Sequence, residues 1–191
     1  MRWIKVDDYD EMCELAASTI FGLLSERAAE RKPFNLGMAT GNTMIGVYER
    51  LAAKLNKAGT DMSKVSTFNL DEYVGADGRD VPESHPLSYK KYMAEKFFSK
   101  LSPSLGFDKK KMFFPDAENP AGYDRLIAAS GGVDFQLLGV GFNGHIAFNE
   151  PVGEKEISAE KFAKIPSRVL DLDSLTIATN AKLTAANDMA M

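Results

Sequence analysis

The sequence contains few of the residues from which disulfides and metal sites are built. Cys13 is the single cysteine among 191 residues, which excludes an internal disulfide and a cysteine-rich zinc site. His85 and His145 are the only histidines, which argues against a metal site with two or three imidazole ligands. We therefore expect no metal ion, and we place Cys13 in the apolar core of a helix rather than at a reactive site.

Long apolar runs and an excess of basic residues are also missing. No apolar run reaches the roughly 20 residues that cross a bilayer, and the stretch from Met1 to Asp8 lacks the apolar core of a secretory signal. The 23 basic and 27 acidic residues give a net charge of −4, whereas a general nucleic-acid-binding protein usually carries clustered positive charge. The sequence therefore predicts a cytoplasmic protein that binds neither membranes nor nucleic acid.

Segments typical of helices and of strands alternate along the chain. Helices are predicted at Tyr9–Arg31, Met44–Ala58, Leu87–Leu101 and from Asn119-Pro120 to Gly131-Gly132. Strands are predicted at Phe34–Ala39, Val65–Leu70, Lys111–Phe114 and Phe135–Val140. Asp8 is a suitable N-cap for the first helix and Gly59 a suitable end for the second. The strand at 135–140 is the most apolar, which suits burial on both faces. This alternation predicts one α/β domain over residues 1–191 with a doubly wound, mostly parallel sheet.

Ligands of such sheets bind beyond the carboxyl ends of the strands, so the residues that follow each strand are candidates for a site. Thr40, Gly41, Asn42 and Thr43 follow the first predicted strand and precede a helix. Hydroxyl groups and free helix amides at this position can bind an anion, or the same residues can simply cap the helix. The glycine spacing fits neither a Walker loop nor a dinucleotide-binding loop.

Two adjacent carboxylates, Asp71 and Glu72, follow the second predicted strand. A carboxylate that is partly removed from water has a raised pKa and is a better base near neutral pH. The alternative is that Asp71 caps the next turn while Glu72 is solvated, and the local sequence taken alone favours that alternative.

The segment from Gly139 to Pro151 follows the most apolar strand and contains glycines, His145, Asn143 and Glu150. Glycines allow the backbone to turn sharply and to approach a ligand closely. A histidine can exchange a proton near neutral pH, and a neighbouring carboxylate can orient its ring. A histidine placed in such a loop favours a functional role over a structural one.

Four segments, taken in order, resemble the glucosamine-6-phosphate deaminase family, also called glucosamine-6-phosphate isomerase. They are Leu36–Thr43, Thr67–Gly75, His85–Tyr89 and Gly139–Pro151, and the most specific motifs are Asp-Glu-Tyr-Val-Gly and Gly-His-Ile-Ala-Phe-Asn-Glu-Pro. The resemblance implies a modified Rossmann-like fold without a metal or an organic cofactor. It implies conversion of glucosamine 6-phosphate and water into fructose 6-phosphate and ammonia. Members of this family are often oligomeric, which leaves a homo-oligomer open.

The resemblance also implies roles for individual residues. Asp71 matches the base that moves a proton from C2 toward C1 of the opened sugar. His145 matches the acid and base that opens the ring, Glu150 matches its carboxylate partner, and Asn143 falls where the family has Asp or Asn in the same group. Glu72 matches an acidic position beside the substrate.

The phosphate-binding residues that the resemblance implies are partly altered. Thr40, Gly41, Asn42 and Thr43 match the phosphate loop, although the family usually has Pro at position 39 and Gly at position 42. Lys182 stands where the family has an arginine that contacts phosphate. Lysine supplies charge without the bidentate fork of arginine, so weaker phosphate binding or a shifted substrate is expected.

The resemblance leaves three alternative functions and one difference in length. The alternatives are a galactosamine-6-phosphate isomerase, a 6-phosphogluconolactonase-like hydrolase and a non-catalytic sugar-phosphate sensor. Phe148–Pro151 argue against the hydrolase, and the presence of Asp71, His145 and Glu150 together argues against the sensor. Family members continue several tens of residues beyond the equivalent of Met191, so we expect this chain to lack their C-terminal sheet elements and a further phosphate-binding lysine.

Overall fold

The computed structural model describes residues 3–180, and Lys182 lies outside this range. The chain forms two compact units, each built from three segments. Unit 1 comprises the chain up to Asn69, Tyr92–Phe113 and Gly132–Gly139. Unit 2 comprises Leu70–Lys91, Phe114–Gly131 and the chain from Val140 onward. A single domain over residues 1–191 stays a prediction.

Unit 1 contains a parallel sheet of four strands. The strands are β1 (Phe34–Met38), β2 (Val65–Asn69), β3 (Met112–Phe113) and β4 (Phe135–Gln136), in the spatial order β3-β2-β1-β4. All three pairings are parallel, and β1 pairs with β2 from Phe34 opposite Val65 to Met38 opposite Asn69. Parallel neighbours require crossover connections, which is the arrangement that the alternation of elements predicts. The predicted parallel α/β sheet is therefore confirmed.

Two long helices of unit 1 pack against each other through apolar faces. Helix α1 (Tyr9–Ala29) is capped by Asp8, whose carboxylate accepts a hydrogen bond from the Glu11 amide at 2.8 Å. Helix α2 (Asn42–Ala58) ends at Gly59, whose φ of 63° is a left-handed conformation that glycine adopts readily. Both helix ends agree with the sequence predictions. The fully buried side chains of these helices include Cys13, Ile20, Leu24, Tyr48, Leu51 and Leu55.

Two predicted elements differ from the structure. The helix predicted at Leu87–Leu101 is a shorter helix, α3 (Tyr89–Lys96), followed by a 3-10 helix at Phe98–Lys100, because Phe97 leaves the helical conformation with φ −130°. The prediction of a strand from 135 to 140 that is buried on both faces is wrong. Strand β4 ends at Gln136 and its two residues are only half-buried, while Leu138 and Val140, which follow the strand, are 47% and 73% exposed.

Unit 2 is built mainly from loops around short helices. Helix α4 (Pro120–Ala129) begins after Asn119, whose side chain accepts from the Gly122 amide at 3.1 Å, as the Asn-Pro pair predicts. Helix α5 spans Ala159–Phe162, and residues 174–180 are also helical. Among residues 3–180, no helix combines the length and the apolar character needed to span a membrane. Within the same range, no cluster of three or more His, Cys, Asp or Glu side chains is arranged to bind a metal ion.

Candidate active site

The segment from Thr40 to Thr43, called the loop below, leads from β1 into α2 in unit 1, and Asn42 and Thr43 are the first two residues of the helix. Gly41 occupies the N-cap position with a φ of 116°, a conformation open to glycine and strained for other residues. No side chain caps α2, so the structure does not support the interpretation of this loop as a side-chain cap. The first amides of α2 therefore lack a side-chain acceptor, which is the condition under which a helix N-terminus attracts an anion.

Two tyrosine hydroxyls that sequence analysis did not single out fix the backbone of this loop. Tyr92 donates a hydrogen bond to the carbonyl of Gly41 at 2.7 Å. The Tyr9 hydroxyl lies 3.2 Å from the carbonyl oxygen of Thr43 and accepts from the Gly46 amide at 3.1 Å. Burial, and then the neighbouring Tyr9, raise the pKa of Tyr92 above its usual range, so Tyr92 stays a neutral donor. These contacts hold the loop carbonyls at fixed positions.

Asp71 begins the segment that follows β2 and lies in unit 2. Burial, with a smaller effect from the charge of Glu72, raises the pKa of Asp71 to about 7. Its side chain lines a cavity of about 430 Å³ together with Tyr73, Phe148 and Asn149. A carboxyl group that changes its charge near neutral pH can both take up and release a proton there, which is what an enolisation base requires.

Glu72 is nine-tenths buried and caps the N-terminus of α3. Its two carboxylate oxygens accept hydrogen bonds from the amides of Tyr73 at 2.9 Å, Tyr89 at 2.8 Å and Lys90 at 2.9 Å, and from the Ser88 hydroxyl at 3.1 Å. The alternative in which Asp71 caps the next turn and Glu72 is solvated is therefore wrong, because Glu72 is the buried cap. A role for Glu72 in substrate binding stays a prediction.

The histidine loop folds back on itself around glycines. The Gly141 amide donates to the His145 carbonyl at 2.8 Å, and Gly144 has a φ of 93°. A Cβ atom at position 141 would lie 2.1 Å from Nε2 of His145, so any larger residue there would displace the imidazole ring. The absence of a side chain at position 141 therefore leaves the space that the imidazole ring occupies.

The structure brings together the three residues to which the resemblance assigns ring opening. Nδ1 of His145 lies 3.7 Å from Oε1 of Glu150, and among the described residues this buried nitrogen has no hydrogen-bond partner. Asn143 donates through Nδ2 to Oε2 of Glu150 at 2.5 Å, and its Oδ1 accepts from the His145 amide at 3.2 Å. Asn143 thus links the carboxylate to the backbone of the histidine.

An aromatic cluster connects the histidine loop to the segment that carries Asp71. The Phe148 ring lies 5.2 Å from the ring of Tyr73 and 6.2 Å from the ring of His145, measured between centroids. It also stacks on Tyr89 at 5.9 Å. Tyr73 and Phe148 line the same cavity as Asp71, so the contact between Phe148 and His145 joins the histidine to the wall of that cavity. Tyr73 and Phe148 lie within the two most specific motifs, but nothing in the local sequence indicates that their rings pack together.

The remaining predicted residues lie elsewhere in the chain. Thr40 to Thr43 belong to unit 1, whereas Asp71, Asn143, His145 and Glu150 belong to unit 2. His85, which sequence analysis placed in a surface loop, accepts a hydrogen bond from the Leu87 amide at 3.2 Å through Nδ1. This local hydrogen bond is sufficient to give His85 a structural role in its own loop.

The family model for glucosamine-6-phosphate isomerases and 6-phosphogluconolactonases matches residues 7–151. Glucosamine-6-phosphate deaminase 2 of Bacillus subtilis is 35% identical over 188 residues, which cover 95% of this chain and 67% of that protein. Glucosamine-6-phosphate deaminase of Clostridium tetani is 41% identical over 165 residues, which cover 83% of this chain and 63% of that protein. The chain therefore spans about two thirds of the length of these curated relatives.

Solved structures give the same assignment of fold. A monomeric glucosamine-6-phosphate deaminase superposes with a TM-score of 0.80 at 28% identity, covering 96% of this chain and 70% of that one. A 6-phosphogluconolactonase from Shewanella baltica superposes with a TM-score of 0.55 at 21% identity over 74% of this chain and 57% of that one, which shows a shared fold alone. On the match of motif, family model and fold, the chain belongs to the family of glucosamine-6-phosphate isomerases and 6-phosphogluconolactonases.

Proposed function

We propose that this chain carries the proton-transfer groups of a glucosamine-6-phosphate deaminase. The observation that carries the proposal is the combination, in unit 2, of a carboxyl group that titrates near neutral pH and an imidazole–carboxylate pair. The reaction needs two proton transfers at different atoms of the sugar, and these are two separate groups. The curated relatives of Bacillus subtilis and Clostridium tetani bear the name of this activity.

Ring opening comes first, because the closed pyranose has no carbonyl beside C2. A proton must leave the anomeric hydroxyl while another reaches the ring oxygen O5. The imidazole of His145 can carry out both transfers, since one ring nitrogen can accept a proton while the other donates one. Glu150, 3.7 Å from Nδ1, stabilises the imidazolium formed between the two transfers.

Deamination follows once C1 is an aldehyde. Ionised Asp71 removes the proton from C2, the electron pair forms a C1–C2 double bond, and the carbonyl electrons move to O1. Protonation of O1 by solvent gives an enol that bears the amine on C2. Return of the proton to C1 leaves an iminium at C2, and addition of water there releases ammonia and gives the ketone of fructose 6-phosphate. Asp71 can return that proton because its pKa is about 7 in the folded protein.

The phosphate group is assigned to the loop from Thr40 to Thr43. A phosphate monoester carries nearly two negative charges at neutral pH, and the uncapped amides of α2 offer hydrogen bonds to an anion. Hydroxyl groups of Thr40 and Thr43 add further donors. Lys182, outside the described residues, stays the predicted cationic contact.

Ammonia release tests the proposal directly. The chain is incubated with glucosamine 6-phosphate, galactosamine 6-phosphate or 6-phosphogluconolactone, and ammonia or lactone hydrolysis is measured. We expect ammonia from glucosamine 6-phosphate, and none from the Asp71→Asn variant, which controls for contaminating enzymes. Faster ammonia release from the galactose isomer would reassign the substrate. Lactone hydrolysis without ammonia release, or phosphate-sugar binding without turnover, would overturn the proposal.

A further inference from the structure

Thr176 lies outside every motif in the resemblance that has been given a role in the chemistry. It belongs to the helical residues 174–180, and its side chain is completely buried. Its hydroxyl donates a hydrogen bond to Oε1 of Glu150 at 3.1 Å. Oε1 is the same oxygen that lies 3.7 Å from Nδ1 of His145. A buried hydroxyl is costly unless it is hydrogen-bonded, so this contact fixes the hydroxyl as well as the carboxylate.

The carboxylate of Glu150 is held at both oxygens by groups that do not titrate. Asn143 donates to Oε2 at 2.5 Å and Thr176 donates to Oε1 at 3.1 Å. Donors on both oxygens fix the plane of the carboxylate, with Oε1 3.7 Å from Nδ1 of the imidazole. His145 is the titratable group that faces Glu150.

We propose that Thr176 is a positioning residue, which holds Oε1 of Glu150 beside Nδ1 of His145 and thereby sets the tautomer of the histidine. This inference rests on the proposed function for its kinetic consequence but not for the tautomer itself. The negative charge of a carboxylate oxygen held 3.7 Å from Nδ1 favours the tautomer that is protonated on that nitrogen. Nε2 then keeps its lone pair and can accept the proton of the anomeric hydroxyl.

A second contact links the same helical residues to the segment Leu70–Lys91 of unit 2. Nδ2 of Asn180 donates to the hydroxyl of Tyr73 at 2.7 Å. Tyr73 packs against Phe148, which in turn contacts the ring of His145. The 174–180 helix is thus held at Glu150 and at Tyr73, and these two contacts fix the position from which Thr176 donates.

Nitrogen NMR of the histidine rings in the full chain tests the proposal, because the chain has two histidines and a His85→Gln variant identifies the signals of His145. The compared proteins are the wild type, Thr176→Val, which keeps the shape without the hydroxyl, and Thr176→Ser, which keeps the hydroxyl. We expect the wild type and Thr176→Ser to show His145 protonated on Nδ1. Thr176→Val should shift the Nδ1 resonance toward a mixture of tautomers.

Kinetics provide the second measurement. Loss of one hydrogen bond to a charged group predicts a fall in kcat of about tenfold for Thr176→Val. KM should change by less than about twofold, because Thr176 contacts Glu150 rather than the substrate. Thr176→Ser should restore both the rate and the resonance.

Three outcomes would overturn the proposal. The first is a wild-type Nδ1 resonance in Thr176→Val, and the second is an equal loss of kcat in the Val and Ser variants, which would remove the hydroxyl from the explanation. The third is a wild-type resonance in Thr176→Ala, the variant to use if Thr176→Val does not fold. If the wild type releases no ammonia, the proposed function fails, but the NMR comparison still decides the role of Thr176.

Discussion

The two units bury different kinds of side chain. In unit 1 the fully buried residues are mainly apolar, such as Leu36 in β1 and Leu51 in α2. In unit 2 the described residues below a tenth exposure include Glu72, Ser88 and Thr176, all of them polar and hydrogen-bonded. Apolar burial is tolerant of small shifts, whereas buried polar groups demand defined partners and directions. We therefore expect unit 1 to contribute most of the stability, and unit 2 to provide the fixed geometry that the proposed proton transfers need.

The largest effect is expected at Asp71 in unit 2, where we expect activity to depend on the side chain and stability not to. Asp71→Asn removes the base that takes the C2 proton, and we expect kcat/KM for ammonia release to fall by about a thousandfold or more. The free energy of unfolding in urea should not decrease, because asparagine places no charge in the buried position. A variant that loses activity and unfolds at lower urea concentration would assign Asp71 to the fold instead.

The second largest effect is expected in the core of unit 1, on the free energy of unfolding. Leu51→Ala should lower the free energy of unfolding by about 3 kcal/mol, because it leaves a cavity among fully buried side chains. The matched control is Leu15→Ala on α1, where the side chain is 38% exposed and the loss should be below about 1 kcal/mol. Urea denaturation followed by circular dichroism measures both. Equal losses at the two positions would contradict the assignment of the core.

The pH dependence of activity should follow Asp71. Since the base works in its ionised form and its pKa is about 7, kcat/KM should fall about tenfold per pH unit below pH 7. The phosphate of the substrate ionises near pH 6. An acid limb centred about one unit lower would therefore point to the substrate rather than to Asp71. Initial rates of ammonia release from pH 5 to 9 distinguish the two.

Glu72 is an exception to the difference between the two units, because it lies in unit 2 and we expect it to act on stability. Glu72→Gln places an amide nitrogen against protein donors at the N-terminus of α3, and we expect a loss of about 2 kcal/mol in the free energy of unfolding. Glu118→Gln is the control, since its exposed ion pair with Arg79 is worth less than about 1 kcal/mol. Thermal unfolding checks the pair, and an unchanged midpoint for Glu72→Gln would remove the capping role.

The smallest effect is expected at a residue of unit 1 that we expect to act on ligand binding. Tyr92 belongs to unit 1, yet it holds the carbonyl of Gly41 in the loop assigned to phosphate. Tyr92→Phe should raise KM for the sugar phosphate, and the inhibition constant of inorganic phosphate, about threefold, while kcat stays the same. An unchanged inhibition constant would show that the loop does not depend on this hydroxyl.

Local signals in the sequence predicted much of the frame. Asp8 and Gly59 set the ends of α1 and α2 because capping and left-handed conformations depend on the residue type at a single position. The parallel sheet was predicted from the alternation of helices and strands along the chain, which does not require the exact bounds of each element to be known. The prediction of a buried strand at Phe135–Val140 was wrong because an apolar run cannot show whether other elements cover its faces or where the strand ends.

The site was predicted less completely, because several of its contacts join distant parts of the chain. Asp71, His145 and Glu150 stood out by their motifs, but the exchange of roles between Asp71 and Glu72 depended on Ser88 and α3, which no local pattern reveals. Thr176 reaches Glu150 across 26 positions, and Tyr92 reaches Gly41 across 51. Hydrogen bonds of this range are visible only when the chain is folded.

The burial of Asp71 links folding to proton uptake. Its pKa is about 7 in the folded chain against 3.8 for a free aspartate, so between these values the native protein keeps a proton that the unfolded chain has released. From this group alone, conformational stability is greatest below about pH 4, declines as the pH rises toward 7 and stays at the lower level beyond. By the same linkage, the form with ionised Asp71, to which we assign deprotonation of the sugar, is the less stable form of the molecule.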